Sequence, residues 1–219
     1  MKLLKIFLLA GISISLSFGS AFAKKYTAKT VFTEKKPFII LNFDDKAEVN
    51  TVGGQFGAFD ADPNDSNAYI RYKFKKDKTL HNKGYNLYVK YDVDSPKTAF
   101  NGIWTKLNNI NIKKFNAFTI TIKGDSKAKF NSFFKIEVKT TKGLISATVD
   151  GITDKWQKIV IPFEDFDGDV DEFDFSRISE FTIVFEDWKF KEKVGAYYID
   201  DIGFIPKKGV KVKFSEIRR

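Results

Sequence analysis

Short runs of alternating apolar and polar residues constrain this 219-residue chain more than any other feature. They are rich in β-branched and aromatic residues, turn residues separate them, and helical periodicity is almost absent. This is the pattern of half-buried β-strands joined by turns. Ten such runs predict an all-β fold, an antiparallel β-sandwich of the jelly-roll type. The runs are Phe38–Phe43, Ala68–Phe74, Tyr85–Val93, Gly102–Leu107, Ala117–Lys123, Phe133–Thr140, Leu144–Val149, Trp156–Pro162, Phe181–Phe185 and Ala196–Phe204.

The N-terminus has the composition of an export signal. Lys2 and Lys5 precede the apolar run Ile6–Phe18, and Ala21 and Ala23 form a small-x-small cleavage pattern. We predict cleavage after Ala23, a periplasmic or secreted location, and no stable membrane span afterwards, because the apolar run is short. The predicted organisation is a signal peptide at 1–23, a polar lead-in at 24–36, a β-sandwich binding domain at 37–206 and a basic tail at 207–219.

The kind of basic residue in the chain argues against a nucleic-acid partner. The chain has a formal net charge of +9, but its 37 basic residues are nearly all lysines. Nucleic-acid binders usually favour the forked donors of arginine, and the export signal also argues against a nucleic-acid partner. Because the chain has no cysteine, it has no disulfides, and its stability must come from a core to which 24 phenylalanines can contribute.

Residues suited to catalysis are scarce. The single histidine, His81, lies in a polar stretch without a nucleophile motif, and zinc has neither cysteine nor a second histidine to bind. Carboxylates concentrate in the run from Glu164 to Asp174, which has the composition of a solvated loop and only partly matches a calcium loop. The sequence therefore predicts a protein that is not an enzyme, and a glycoside hydrolase that uses paired carboxylates is the weaker alternative.

Alternation predicts a polar face that carries aromatic side chains. On the strands whose apolar residues face the core, the opposite parity leaves Tyr88, Glu137 and Glu186, and Trp188 follows two residues later. Aromatic rings stack on sugar rings, while carboxylates accept hydrogen bonds from hydroxyls. These four are the first candidates for ligand binding, and Tyr69, Arg71 and Trp104 follow them. The alternative is that tyrosine and tryptophan are simply good strand formers on a half-exposed face.

Two pairs of aspartates lie at the end of the first and within the last predicted strand of the domain. Asp44 and Asp45 close the first predicted strand, and Asp200 and Asp201 lie inside the last one. Because neighbouring side chains of a strand point to opposite faces, one member of the second pair should point toward the core. The four carboxylates could hold a shared metal ion, or they could accept backbone hydrogen bonds across a bulge.

Several segments resemble a known superfamily. They are NFD at Asn42–Asp44, GGQFG at Gly53–Gly57, FTITIKGD at Phe118–Asp125, WQKIVIPFEDF at Trp156–Phe166 and YIDDIGF ending at Phe204. In this order they resemble the galactose-binding-like β-sandwiches, and among these the family eleven carbohydrate-binding modules and the complex I intermediate-associated protein domain. The resemblance covers roughly residues 37–206.

The resemblance implies a non-catalytic jelly roll that holds a poly- or oligosaccharide on its concave sheet. It also implies a structural Ca²⁺ between the first and last strands, for which Asp44, Asp45, Asp200 and Asp201 are the candidate ligands. A departure is that such modules are usually attached to a glycanase domain, which this chain lacks. The alternative is a periplasmic assembly or scaffold factor that uses the same fold to bind a protein partner.

Overall fold

The computed structural model describes residues 25–27, 36–62, 64–76 and 84–217, with the backbone alone at 25–27. The predicted signal peptide and His81 lie outside the described residues. None of the described residues form a helix long and apolar enough to cross a membrane.

Twelve strands make up the described part of the chain. All ten predicted runs form strands, with ends that differ by a few residues. Two strands were not predicted: β1 lies within the presumed polar lead-in, and β3 follows the glycine-rich segment. The strands are β1 (Lys25–Thr27), β2 (Phe38–Leu41), β3 (Phe56–Asp60), β4 (Tyr69–Lys75), β5 (Asn86–Asp92), β6 (Phe100–Ile110), β7 (Phe115–Gly124), β8 (Phe133–Lys139), β9 (Leu144–Asp150), β10 (Gln157–Pro162), β11 (Ile178–Glu186) and β12 (Val194–Pro206).

The strands form two sheets. Sheet I has the order β1-β9-β8-β11-β6-β3, and sheet II has the order β10-β7-β12-β5-β4, with β2 also paired to β12. Every pairing is antiparallel except that of β1 with β9. This architecture confirms the predicted β-sandwich.

Aromatic stacking across the interior joins the two sheets. Phe118 of sheet II stacks on Phe181 of sheet I with ring centroids 4.7 Å apart, and Tyr91 stacks on Phe185 at the same distance. Tyr197 also stacks on Phe185, at 5.6 Å. Full burial of each large apolar side chain contributes about 1.5–3 kcal/mol. The core of this cysteine-free chain therefore lies between the sheets, where alternation sends the apolar side chains.

A bulge in β12 changes which residues face the core. The pairing of β12 with β7 shifts between Asp200 and Gly203, and Asp201 has a left-handed backbone with φ of 43°. Before the bulge Ile199 is buried in the core, and after it Ile202 is. One inserted residue thus shifts the parity of the core-facing residues, and the strand keeps its apolar side toward the core. The expectation that one aspartate of this pair points toward the core is wrong, because the bulge interrupts strict alternation.

The C-terminal tail packs against the sandwich. The backbone N–H of Lys207 donates to the carbonyl of Lys114 at 2.9 Å, and the ring of Phe214 stacks on that of Phe38 at 5.7 Å. Ile217 is buried. A short 3₁₀ turn forms at Phe214–Glu216.

Candidate functional site

The predicted ligand-binding residues do not share one surface. Tyr69, Arg71 and Tyr88 lie on β4 and β5 of sheet II. The other four belong to the opposite side of the sandwich: Trp104, Glu137 and Glu186 lie on sheet I, and Trp188 lies in the turn after β11. The prediction of a single face that joins Tyr88 with Glu137, Glu186 and Trp188 is therefore wrong, because parity gives a side chain's face but not its sheet.

The outer side of sheet II carries a row of aromatic side chains, called here the aromatic face. Tyr88 is paired with Tyr198 across β5 and β12, and their ring centroids lie 4.8 Å apart. Trp156 extends the row, with its ring 6.3 Å from that of Tyr198. Tyr69 lies further along sheet II on the edge strand β4. All four rings are partly exposed, so a ligand can reach them.

Cationic side chains surround these rings. The ammonium of Lys75 lies 3.2 Å from the ring centroid of Tyr88, and that of Lys123 lies 4.8 Å from that of Tyr198. The guanidinium carbon of Arg71 lies 4.9 Å from the ring centroid of Tyr69. A cation over an aromatic face is attracted by the ring quadrupole. These contacts hold flexible cations close to the aromatic row.

A carboxylate orients Tyr88. The Tyr88 hydroxyl donates to Oδ2 of Asp125 at 3.1 Å, and Asp125 also accepts the backbone N–H of Lys127. Burial, followed by the negative charge and hydrogen bond of Asp125, raises the pKa of Tyr88 to about 12. The phenol is therefore a neutral hydrogen-bonding group at physiological pH.

The outer side of sheet I is a ladder of alternating charges, called here the charged face. Lys139 contacts Glu137 at 3.0 Å and Glu180 at 3.2 Å, and Lys106 also pairs with Glu180. Lys135 lies 2.7 Å from Glu137, and the ladder continues to Glu186 and Lys189. Glu137 and Glu186 are 8% and 6% exposed. The two glutamates that were predicted to bind sugar thus already form ion pairs with lysines.

The pKa values of these glutamates reflect the pairing. Burial alone would raise the pKa of Glu137, but the hydrogen bonds and charges of Lys135 and Lys139 outweigh it and lower that pKa. The hydrogen bonds and charges of Lys106 and Lys139 likewise outweigh burial at Glu180 and lower its pKa. The charged face is therefore a network of ion pairs that binds its sheet together.

The two tryptophans on the side of sheet I have different surroundings. A side chain at Gly57 would meet the indole of Trp104, so glycine at this position lets the ring lie over the neighbouring strand. The indole N–H of Trp104 donates to the carbonyl of Ala58 at 3.3 Å. Trp188 is 56% exposed and touches Phe100, with ring centroids 6.3 Å apart.

The four predicted metal ligands come together only in part. Asp201 lies near Asp44: burial raises the pKa of Asp201, Asp44 raises it further and Lys158 opposes. Asp45 accepts the backbone N–H of Ala47 at 3.0 Å. Asp200 is fully buried on the outer side of sheet II and accepts the N–H of Asp201 at 2.8 Å.

Calcium requires six to eight oxygen ligands. No group of three or more carboxylate, histidine or cysteine side chains with metal-binding geometry occurs among the described residues. Asp44 and Asp201 alone do not make a side-chain calcium site, so a bound ion would also need backbone oxygens. Structural calcium stays a prediction from the family resemblance.

Sequence reasoning missed two members of the aromatic face, Trp156 and Tyr198. The signal was present, because Tyr198 has the opposite parity to Tyr197 and Ile199, which face the core. Trp156, just before β10, has the same parity as Lys158 and the opposite parity to Ile159 and Ile161, which face the core. The missing information was the strand order, which places β12 between β5 and β7.

A surface cavity in the described part of the chain lies away from the aromatic face. It has a volume of about 790 Å³ and is lined by Phe115, Phe163, Phe175 and several carboxylates. Phe115 begins β7, whereas Lys123 of the aromatic face lies eight residues on, about 27 Å along an extended strand. The cavity therefore belongs to the opposite end of the sandwich.

Comparison with solved structures supports the fold. The chain is similar to the family 11 carbohydrate-binding module of the cellulosomal cellulase Lic26A-Cel5E of Clostridium thermocellum, with a TM-score of 0.57 and 16% identity over 80% of this chain and 97% of that one. A family 11 module from the same organism, in complex with a β-1,3-1,4-mixed-linked tetrasaccharide, has a TM-score of 0.53 and 18% identity over 69% and 88%.

An exo-β-agarase structure is also similar, with a TM-score of 0.55 and 11% identity over 77% of this chain but only 25% of that one. No protein-family model matches the sequence, and no curated protein matches it either. The fold is therefore a β-sandwich that resembles those of family 11 carbohydrate-binding modules.

Proposed function

We propose that this chain is an exported, non-catalytic protein that binds a glycan on the aromatic face of sheet II. The observation that carries the proposal is the row of Trp156, Tyr198 and Tyr88, in which each ring contacts the next. Rings spaced across neighbouring strands, about 4.8 Å apart, can stack on successive sugar rings of an extended chain.

Hydrogen-bonding groups lie beside the rings. The Tyr88 hydroxyl, the Asp125 carboxylate and the Lys75 ammonium can bond sugar hydroxyls without large rearrangement, because contacts within the site already hold them. A site that is ordered before binding loses less conformational entropy when the ligand arrives. The structural likeness to a family 11 module in complex with a tetrasaccharide supports the same proposal.

The roles of the carboxylates near the rings support binding without hydrolysis. Asp125 holds the Tyr88 hydroxyl, and Asp200 is fully buried beneath the face. Glycoside hydrolysis needs two carboxyl groups that flank the scissile bond, one of them as a proton donor. We expect no release of reducing ends from any glycan that the protein binds.

The test is affinity electrophoresis and calorimetry against a panel of neutral and acidic polysaccharides. We expect at least one of them to retard and bind the native protein, and Tyr198→Ala to reduce its affinity about tenfold, as for loss of one stacked aromatic ring. Circular dichroism checks that the variant folds. The proposal fails if no polysaccharide binds, or if Tyr198→Ala binds as the native protein does.

A further inference from the structure

Lysines on the two outer faces of the sandwich have opposite surroundings. On the charged face, Lys106, Lys135, Lys139 and Lys189 each contact a glutamate. Around the aromatic face, Arg71, Lys73, Lys90 and Lys158 make no ion pair with any of the residues that the structure describes. Among the described residues, the lysines of the charged face are therefore paired with glutamates, whereas these four cations around the aromatic face are not.

Two lysines near the ring of Tyr88, Lys73 and Lys75, are crowded together. Burial lowers the pKa of Lys75, the positive charge of Lys73 lowers it further, and Asp125 opposes. Lys73 and Lys75 both lie near the ring of Tyr88, at 5.8 and 3.2 Å from its centroid. Like charges held at short distance in a partly desolvated place destabilise the folded protein. A bound anion would relieve this repulsion.

The cations also flank the aromatic row in a regular way. The register pairs Lys123 with Tyr198, Tyr198 with Tyr88, and Tyr88 with Lys73. Lys123 and Lys73 therefore lie three strand spacings apart, about 14 Å. Beside this row, Lys90 is paired with Arg71, and both lie over Tyr69. A polymer along the row would meet the positive charge of Lys73 at one end and that of Arg71 and Lys90 along one side.

We propose that the ligand of the aromatic face is an anionic polysaccharide, in which carboxylates or sulfates repeat along the chain. The rings would stack on the sugars, while Arg71, Lys73 and Lys90 would pair with the charged groups. This inference rests on the proposed glycan-binding function and adds the class of glycan. A nucleic acid is disfavoured, since a single arginine, Arg71, lies among these cations.

A pair of ligands that differ only in charge tests the inference. Polygalacturonate and its fully methyl-esterified form share one backbone, and a sulfated galactan with its desulfated form repeats the comparison for sulfate. We expect the native protein to bind at least one anionic form about tenfold or more tightly than its neutral partner at low salt, and the difference to shrink as salt is added.

Variants that remove positive charge from one face at a time locate the effect. The triple variant Arg71→Gln, Lys73→Gln and Lys90→Gln should lose the preference for the anionic form, because its affinity for that form should fall much more than its affinity for the neutral one. The control removes charge from the other side by Lys106→Gln and Lys189→Gln, and it should keep the preference. Thermal unfolding checks that both variants fold.

The outcomes separate the two proposals. Equal affinity of the native protein for anionic and neutral forms would overturn the anionic inference and leave the glycan-binding function standing. No binding to any polysaccharide would overturn both. Tighter binding to single-stranded DNA or to vesicles of anionic lipid than to every polysaccharide, lost in the same triple variant, would overturn the choice of a glycan.

Discussion

Tyr88 and Tyr198 lie directly opposite each other on β5 and β12, with ring centroids 4.8 Å apart. Such a cross-strand aromatic pair stabilises a sheet by up to about 1 kcal/mol. On this sheet the pair also links Trp156 on one side with the cations of β4 on the other. The pair is therefore the centre of the aromatic face, and the predictions for binding start from it.

The hydrogen bond from Tyr88 to Asp125 should be measurable by itself. Tyr88→Phe keeps the ring and its stacking but removes the hydroxyl, so we expect the free energy of unfolding to fall by about 1 kcal/mol. Urea unfolding measures this change. Asp125→Asn, which keeps an acceptor for the phenol, should have a smaller effect than Tyr88→Phe, and the opposite order would contradict the assigned hydrogen bond.

The charged face should determine how stability depends on acid. The pKa of Glu137 is held below its ordinary value of 4.5, so its contribution to stability is complete above pH 4.5 and is lost as the pH falls through the lowered pKa. Glu137→Gln should cost about 1–2 kcal/mol at pH 7. The difference from the native protein should shrink at low pH.

Melting temperatures measured across this pH range check the prediction. Glu192→Gln is the matched control, because Glu192 forms a more exposed pair with Lys129 at 3.4 Å. It should change stability little at any pH. A Glu137→Gln variant whose deficit stays constant from neutral to strongly acidic pH would count against a lowered pKa.

The pKa of Asp201 is shifted in the opposite direction to that of Glu137, so we expect the opposite dependence of stability on pH. Burial, with a contribution from Asp44, raises its pKa, so the folded protein favours the protonated form. The ionised carboxylate therefore destabilises the fold above the raised pKa, and this penalty disappears as the pH falls toward the unfolded-state value. In the presence of a chelator at neutral pH, we expect Asp201→Asn to melt at a higher temperature than the native protein.

Calcium gives the same residue a second test. If the ion predicted from the family resemblance binds near Asp44 and Asp201, chelation should lower the melting temperature of the native protein and leave Asp201→Asn unaffected. Asp44→Asn should be equally insensitive. A native protein whose melting temperature does not change on chelation would show that the calcium prediction is wrong.

The backbone of Asp201 leads to a separate prediction. With φ of 43°, this position is in the left-handed region, which asparagine tolerates and β-branched residues avoid. Asp201→Val should destabilise the protein by about 1–3 kcal/mol. Asp201→Gly should be close to the native protein, as measured by urea unfolding, and a Val variant as stable as the Gly variant would argue against the bulge.

Local patterns in the sequence were enough to find most of the strands. Alternation identified ten strands, because a strand with one buried face has a period of two residues. It failed at Asp201, where one inserted residue shifts the parity without changing the composition of the run. It also missed Phe56–Asp60, whose glycine and short length weaken the pattern.

The site was harder to predict than the fold. Parity showed correctly that Tyr88 and Glu137 point away from the core, but it could not show that they lie on different sheets. That assignment depends on strand order, which is set by contacts between segments distant in sequence. By contrast, the lysines paired with Glu137 lie two residues before and two residues after it on β8, so alternation alone already places these three side chains on one face.

The most direct test of the central claim compares two tryptophans on opposite sides of the sandwich. Trp156 belongs to the aromatic face, and Trp188 is 56% exposed on the side of sheet I. Calorimetric titration with the polysaccharide that the native protein binds should show affinity reduced about tenfold or more in Trp156→Ala and unchanged in Trp188→Ala. Lost affinity in Trp188→Ala, with Trp156→Ala binding as the native protein does, would contradict the assignment of the glycan to sheet II.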